Sequence, residues 1–181
     1  SMKVQEYFEM CGVHKSVNVV PNPVELDIFN PTNLNQKHIT AIRNKYGVAE
    51  DETLVSFCGR LGKEKSVDVL LDYWAKYVKK DDKLRLMILG GGPCLSELIE
   101  QSKRLGIGQQ VIFTDTIPHE ELPDYYGACQ LYITASLSDT NSISMKEAMA
   151  TGLPVLHIKD PLNAGQVVDG VNGFIYSNAE E

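Results

Sequence analysis

Residues 53–80 read TLVSFCGRLGKEKSVDVLLDYWAKYVKK, and they decide the fold. TLVSFCG, residues 53–59, is a short apolar and β-branched run, the composition of a strand covered on both faces. SVDVLLDYWAKYVKK, residues 66–80, sets Val67, Leu70, Leu71, Trp74 and Val78 on one stripe at helical spacing, with Ser66 in the place of a natural N-cap. Between them, GRLGKEKS brings Arg60, Lys63 and Lys65 into one turn. A buried strand, a basic turn and an amphipathic helix make one βα unit, whose helix must pack on the sheet that holds the strand.

The unit recurs. LRLMILG (84–90), QVIFTD (110–115), QLYITAS (130–136) and LPVLHI (153–158) are further strand candidates. CLSELIEQSKRLG places Leu95, Leu98, Ile99 and Leu105 on one face and stops at Gly106, while EELPDYYGA is shorter and interrupted by Pro123. Repeated βα alternation predicts right-handed crossovers and an α/β, Rossmann-like, doubly wound parallel sheet. The first part differs: KVQEYFEMCG reads as a lone helix, SVNVVP (16–21) as a strand, and VVPNPVELDIFNPTNLNQ as an extended Pro/Asn-rich stretch before the helix HITAIRNKYG. Residues 1–30 are therefore expected to form a lead-in helix, strand and linker, and residues 31–181 the main domain.

Composition narrows the function. At 181 residues, 43% hydrophobic and 23% charged, the chain is an ordinary globular one, long enough for one full core. A net charge of −7 excludes a general nucleic-acid binder, which needs a basic excess, so any anion site is local. Cys11, Cys58, Cys94 and Cys129 lie far apart without a C-x-x-C pair, and His14, His38, His119 and His157 have no paired spacing for a metal. They read as reduced cysteines of a cytoplasmic protein and as histidines without a metal; His119, in the loop before EELPDYYG, is placed where it could approach a ligand, but reads rather as a surface or helix-start residue. No apolar run reaches the length of a membrane span, and no signal-peptide pattern is found.

In an open α/β sheet ligands sit at the carboxyl ends of the strands, so three turns are singled out. In GRLGKEKS, cations together with a helix N-terminus suit a phosphate or diphosphate; the competing reading is a solvated basic turn offset by Glu64. In LGGGPCLSE (89–97) the glycines allow close backbone approach to a ligand. With Asp115 at the end of the next strand, this turn invites an NAD-dependent oxidoreductase reading, but Pro93 and Leu95 leave the dinucleotide fingerprint incomplete. In SLSDTNSISMKEAMATGLPV (136–155), Ser142 or a neighbour caps a helix and leaves the Ile143 and Ser144 amides facing an anion. Glu147 suits a vicinal diol such as a ribose, and Asp139 the hydroxyls of a second sugar. Against this stands a Ser144-x-x-Glu147 capping box with Asp139 closing an Asx-turn. Taken together, the three turns complement a nucleotide diphosphate sugar.

The ordered set VVPNPVELDIF, FCGRLGKEKSVDVLL, LMILGGGP, VIFTDTIPHEELPDYYGACQLYITASLSDTNSISMKEAMATGLPVL and VVDGVNGFIY, from about residue 18 to the end, resembles the C-terminal domain of retaining glycosyltransferases of the glycogen synthase and phosphatidylinositol mannosyltransferase type, in the GT-B superfamily. The resemblance implies one lobe of a two-lobed architecture: a nucleotide-sugar-binding domain over residues 31–181, preceded by the last helix and strand before the interlobe linker, with the N-terminal acceptor lobe absent. By motif, Arg60 and Lys65 match the basic pair on the donor diphosphate. Asp139 and Glu147 match the Glu-x7-Glu pair, the first near the donor sugar and the second on the ribose. Amides around Ser142 and Ile143 would meet phosphate or sugar, the turn near Ile117 would read the base, and Gly59 and Gly91 join the donor-binding set.

The implied activity is hexose transfer from a UDP-glucose-like donor with retention, Arg60, Lys65 and Asp139 acting catalytically. Neither a cofactor nor an obligatory metal is expected, and no Asp-x-Asp occurs. DTNSISMKEAMATGLPVL and GVNGFIY also resemble the branch that glycosylates diacylglycerol, which implies a lipid acceptor and peripheral attachment at the inner membrane face. The expected partners are thus the nucleotide-sugar donor, the missing lobe and such an acceptor, with no nucleic acid. The sequence departs from the pattern at Asp139, at Thr140, Asn141 and Ser142 in place of Gly-Phe-Gly, at Asp115 and Ser66 in place of Gly, and at Gln166 in place of Glu. A non-catalytic sugar-nucleotide-binding module is the alternative those changes keep open.

Overall fold

A computed structural model describes residues 2–13, 20, 22–136, 142–160, 165–178 and 180. Helix α1 spans Met2–Met10 and α2 spans Gln36–Lys45. Then come β1 (Thr53–Cys58), α3 (Val67–Tyr77), β2 (Leu84–Leu89), α4 (Leu95–Arg104), β3 (Val111–Phe113), α5 (Leu122–Gly127), β4 (Leu131–Thr134), α6 (Ile143–Ala150), β5 (Val155–Ile158) and β6 (Gly173–Tyr176). The strands form one sheet in the order β3-β2-β1-β4-β5-β6, every pairing parallel. The expected doubly wound sheet is thus the one found, with its order reversing between β1 and β4.

Period-two alternation along the central strands builds a core on each face. Val55 and Phe57 of β1 with Leu86 and Ile88 of β2 pack against Leu70, Leu71 and Trp74 of α3 and Leu98 of α4. Leu54 and Cys58 with Met87 and Leu89 point the other way, into a core completed by Ile39 and Ile42 of α2, Tyr126 of α5 and Met145 and Ala148 of α6. Both faces being covered, the strands read as unbroken apolar runs. Phe29 is fully buried in that second core.

Several local readings change. Ser66 is not a side-chain cap: it sits at φ 52°, ψ 34°, left-handed, after a 3-10 turn over Lys63–Lys65, and its hydroxyl makes no capping bond. Pro123 does not interrupt a helix; it stands in the first turn of α5, where its missing N–H costs nothing. Helix α2 begins two residues before the run 38–47, because Asn35 caps it by accepting from the amides of Lys37 and His38. β6 was not among the strand candidates. The strand expected at 16–21 lies, except for Val20, outside the described residues.

Candidate functional site

The carboxyl ends of β1 and β4 and the start of α6 meet at the point where the strand order reverses. A hydroxyl chain fixes that junction. The Cys58 carbonyl, the last of β1, accepts from Ser144 Oγ at 2.9 Å and from the Tyr132 hydroxyl of β4 at 3.1 Å. Ser142 Oγ lies 3.3 Å from Ser144 Oγ and accepts from the Met145 amide at 3.3 Å, capping α6. The Tyr126 hydroxyl donates to the Ser144 carbonyl at 3.3 Å. Burial pushes the Cys58 thiol up to about 11, so it stays neutral beneath the helix start. The amides of Ile143 and Ser144, in the first turn of α6, have no partner within the helix, and Ile143 is exposed.

The capping box over Ser144 and Glu147 is not formed. Ser142 is the cap, Ser144 turns to β1, and Glu147 turns to a histidine. Glu147 is only 5% exposed, and its Oε1 lies 2.8 Å from Nε2 of His119. His119 opens a 3-10 turn over His119–Glu121 and meets the edge of Phe29 at a centroid distance of 5.0 Å. The His119 side chain is half-exposed at the start of that turn, as expected of a surface or helix-start residue, and its Nε2 meets the buried acid. Its position just after β3, at the carboxyl edge of the sheet, is what lets it reach that carboxylate.

A cleft of 320 Å³ opens between the turns that follow β1, β2 and β3, and Gly59, Arg60, Gly91, Thr116 and Ile117 are among the residues on its wall. The turns are laced together by backbone: Gly59 N–H donates to Leu89 O at 3.0 Å, Leu61 N–H to Gly91 O at 2.9 Å and Gly90 N–H to Asp115 O at 3.1 Å. A methyl group on Gly90 would stand 2.2 Å from the Gly59 carbonyl oxygen, and one on Gly92 2.7 Å from Leu61 N and O. These two glycines let one turn approach another, while Gly91 between them lies on the cleft wall. Asp115 adopts φ 61°, and its Oδ1 accepts from Thr116 N at 2.7 Å. The carboxylate that carried the dinucleotide reading thus closes its own turn, although the strand order itself is one that dinucleotide folds use.

Arg60 is exposed at the cleft, whereas Lys65 is half-buried at the end of its 3-10 turn and does not line it. Ser136 Oγ donates to Glu64 O at 3.3 Å, tying the basic turn to the segment after β4. Gly59, Arg60, Lys65, Gly91, Ile117, Ser142, Ile143 and Glu147 therefore all lie on segments at the carboxyl edge of the sheet. Asp139 lies outside the described residues. Among the described residues no group of three or more His, Cys, Asp or Glu could hold a metal ion, and no helix is long and apolar enough to cross a membrane. A larger apolar groove of 670 Å³ runs between α3 and β4–β6, and none of the candidate residues lines it.

The sequence model of the family described as "Glycosyl transferases group 1" matches residues 38–181. Alpha-monoglucosyldiacylglycerol synthase of Streptococcus pneumoniae is 32% identical over 158 residues, covering 87% of this chain and 36% of that protein. D-inositol 3-phosphate glycosyltransferase of Mycolicibacterium smegmatis is 32% identical over 180 residues, covering 96% of this chain and 39% of that protein. The crystal structure of Anabaena Alr3699/HepE in complex with UDP-glucose superimposes with a TM-score of 0.82 at 24% identity, over 97% of this chain and 48% of that one. The chain thus spans less than half the length of each of these relatives.

Proposed function

The chain belongs to the group 1 glycosyl transferases, as one Rossmann-like lobe of a GT-B architecture, and from that membership we propose that it binds the donor for an enzyme moving a hexose from a nucleotide diphosphate sugar. The observation that carries this reading is the junction at the sheet's switch point: a helix start with uncommitted amides, a buried carboxylate in the same helix and a cleft edged by an arginine. Each part answers one part of the donor. The base lies against the turn at Ile117 and the ribose diol donates to Glu147. The diphosphate meets Arg60, Lys65 and the amides at Ile143 and Ser144. Gly59 and Gly91, on the cleft wall, admit the nucleotide, and Asp139 orients the sugar.

Arg60 and Lys65 then act where charge grows. As the sugar–phosphate bond breaks, negative charge builds on the departing diphosphate, and cations already in place stabilise that state more than the ground state. Retention at the anomeric carbon, a UDP-glucose-like donor and a lipid acceptor at a membrane face complete the proposal. It is supported by the bound UDP-glucose of the Anabaena protein and by the diacylglycerol in the pneumococcal relative's name. Acceptor-side groups are assigned to the remaining lobe.

Calorimetric titration with UDP, UDP-glucose, GDP, GDP-mannose and NAD tests the donor reading. Saturable binding of UDP, strengthened by its glucose, is expected. Binding of NAD with indifference to every diphosphate sugar would contradict it.

A further inference from the structure

We propose that His119 is a positioning residue that sets the Glu147 carboxylate for a ribose 2′,3′-diol, an inference that rests on the assignment of Glu147 to the ribose. A cis diol presents two hydroxyl donors side by side, so it needs both carboxylate oxygens turned toward it in one rotamer. Glu147 is only 5% exposed, and His119 Nε2, 2.8 Å from Oε1, fixes which oxygen faces which way. A carboxylate oxygen carries two acceptor sites, so Oε1 bound to His119 keeps one for the ligand while Oε2 offers its own. A carboxylate oxygen accepts, so the contact is read with His119 Nε2 as its donor.

The histidine is itself held on both sides. Phe29, fully buried, meets its ring edge-on at 5.0 Å, and Pro118 joins it to Ile117 on the cleft wall. His119 therefore links the loop that carries Ile117 to the buried acid, 28 residues further along the chain, a pairing that only the fold creates. A side chain serving only to fill space there would have no need of a nitrogen aimed at a carboxylate. Orientation is what that nitrogen adds.

The experiment compares His119→Ala, His119→Gln and Glu147→Gln with the unaltered protein, by calorimetry with UDP and with inorganic pyrophosphate, which lacks the ribose. Thermal melts verify folding. His119→Ala is expected to weaken UDP by about five- to tenfold and pyrophosphate by less than about twofold. His119→Gln, whose amide nitrogen can donate to the same oxygen, should recover most of the loss. Unchanged UDP affinity in His119→Ala, with a loss in Glu147→Gln, would overturn the positioning role and leave the ribose assignment standing. No loss in Glu147→Gln would remove both. Equal losses for UDP and pyrophosphate in His119→Ala, or no recovery with glutamine, would make the histidine merely structural and overturn the proposal.

Discussion

Ser144 donates its hydroxyl to the Cys58 carbonyl oxygen at 2.9 Å, joining the first turn of α6 to the last residue of β1 across 86 positions of chain. One bond thus ties the helix start assigned to the diphosphate to the strand that opens the basic turn. Ser144→Ala leaves that carbonyl with Tyr132 alone, and one hydrogen bond is worth about 1 kcal/mol. A fall in melting temperature of roughly 2–4 °C is expected. Unchanged melting in a scanning calorimeter would show that Tyr132 alone holds the junction.

Gly90 faces Gly59 more closely than any side chain permits. A Cβ there would stand 2.2 Å from backbone oxygen, at φ 135°. Gly90→Ala must push two turns apart or distort both, and we expect more than about 2 kcal/mol of destabilisation, the range of strained backbone positions. Gly106→Ala is the control, since a methyl there meets nothing within 4 Å although φ is 73°. Its loss should be the smaller, as read by urea midpoints; the reverse order would refute the interlocking of the turns.

Lys65→Ala should cost about tenfold in affinity for UDP and as much for pyrophosphate, because a charge-assisted contact to phosphate is worth about 1.5–3 kcal/mol and owes nothing to the ribose. Glu147→Gln should spare pyrophosphate. Titration of both variants with both ligands reads the contrast directly, and matching profiles for the two variants would dissolve the division of labour.

The cysteines titrate apart. Burial raises Cys58 to about 11 and Cys129 to about 12, from an ordinary thiol value of 9.0, while Cys11 is exposed. The thiolate is the reactive form, so at pH 8 roughly one part in a thousand of Cys58 and one in ten thousand of Cys129 is available. Cys11 should react first with a disulfide reagent, and Cys58 and Cys129 only after denaturation. The folded state holds these two protons more tightly than the unfolded chain. Stability from this source is therefore level below about pH 9 and declines as pH rises from there toward the folded values. Rapid modification of all four thiols at pH 8 would contradict the burial.

Much of this architecture was legible because the central strands are apolar on both faces. Leu54 through Cys58 and Leu86 through Leu89 can only be a covered sheet, and α3 carries its stripe openly. β6 was missed because it is only four residues long and its burial follows no period of two, with Gly173 and Tyr176 buried and Phe174 58% and Ile175 41% exposed between them. Ser66 and Asp115 looked like departures from a glycine pattern, and both stand at left-handed backbone, which Asp tolerates better than most residues and Ser bears at some cost. What left-handed geometry asks of a turn is not written in its side chains.

The site divided along the same line. Arg60, Gly59, Gly91 and Ile117 were chosen as members of turns at one edge of a sheet, and the fold does gather them on one cleft. Which of two roles Glu147 would take was undecidable, since a capping box and a ligand carboxylate share one spacing. The structure removes the capping box, because Ser142 caps α6 and Glu147 turns to His119, partners that tertiary packing alone supplies.

A crystal structure of the protein with UDP would show the pose of the donor nucleotide itself. Uracil is expected against the turn at Ile117, the ribose hydroxyls on Glu147 with His119 still on Oε1, and the diphosphate between Arg60, Lys65 and the start of α6. A nucleotide lodged elsewhere, such as in the apolar groove beside α3, or a ribose turned away from Glu147, would contradict it.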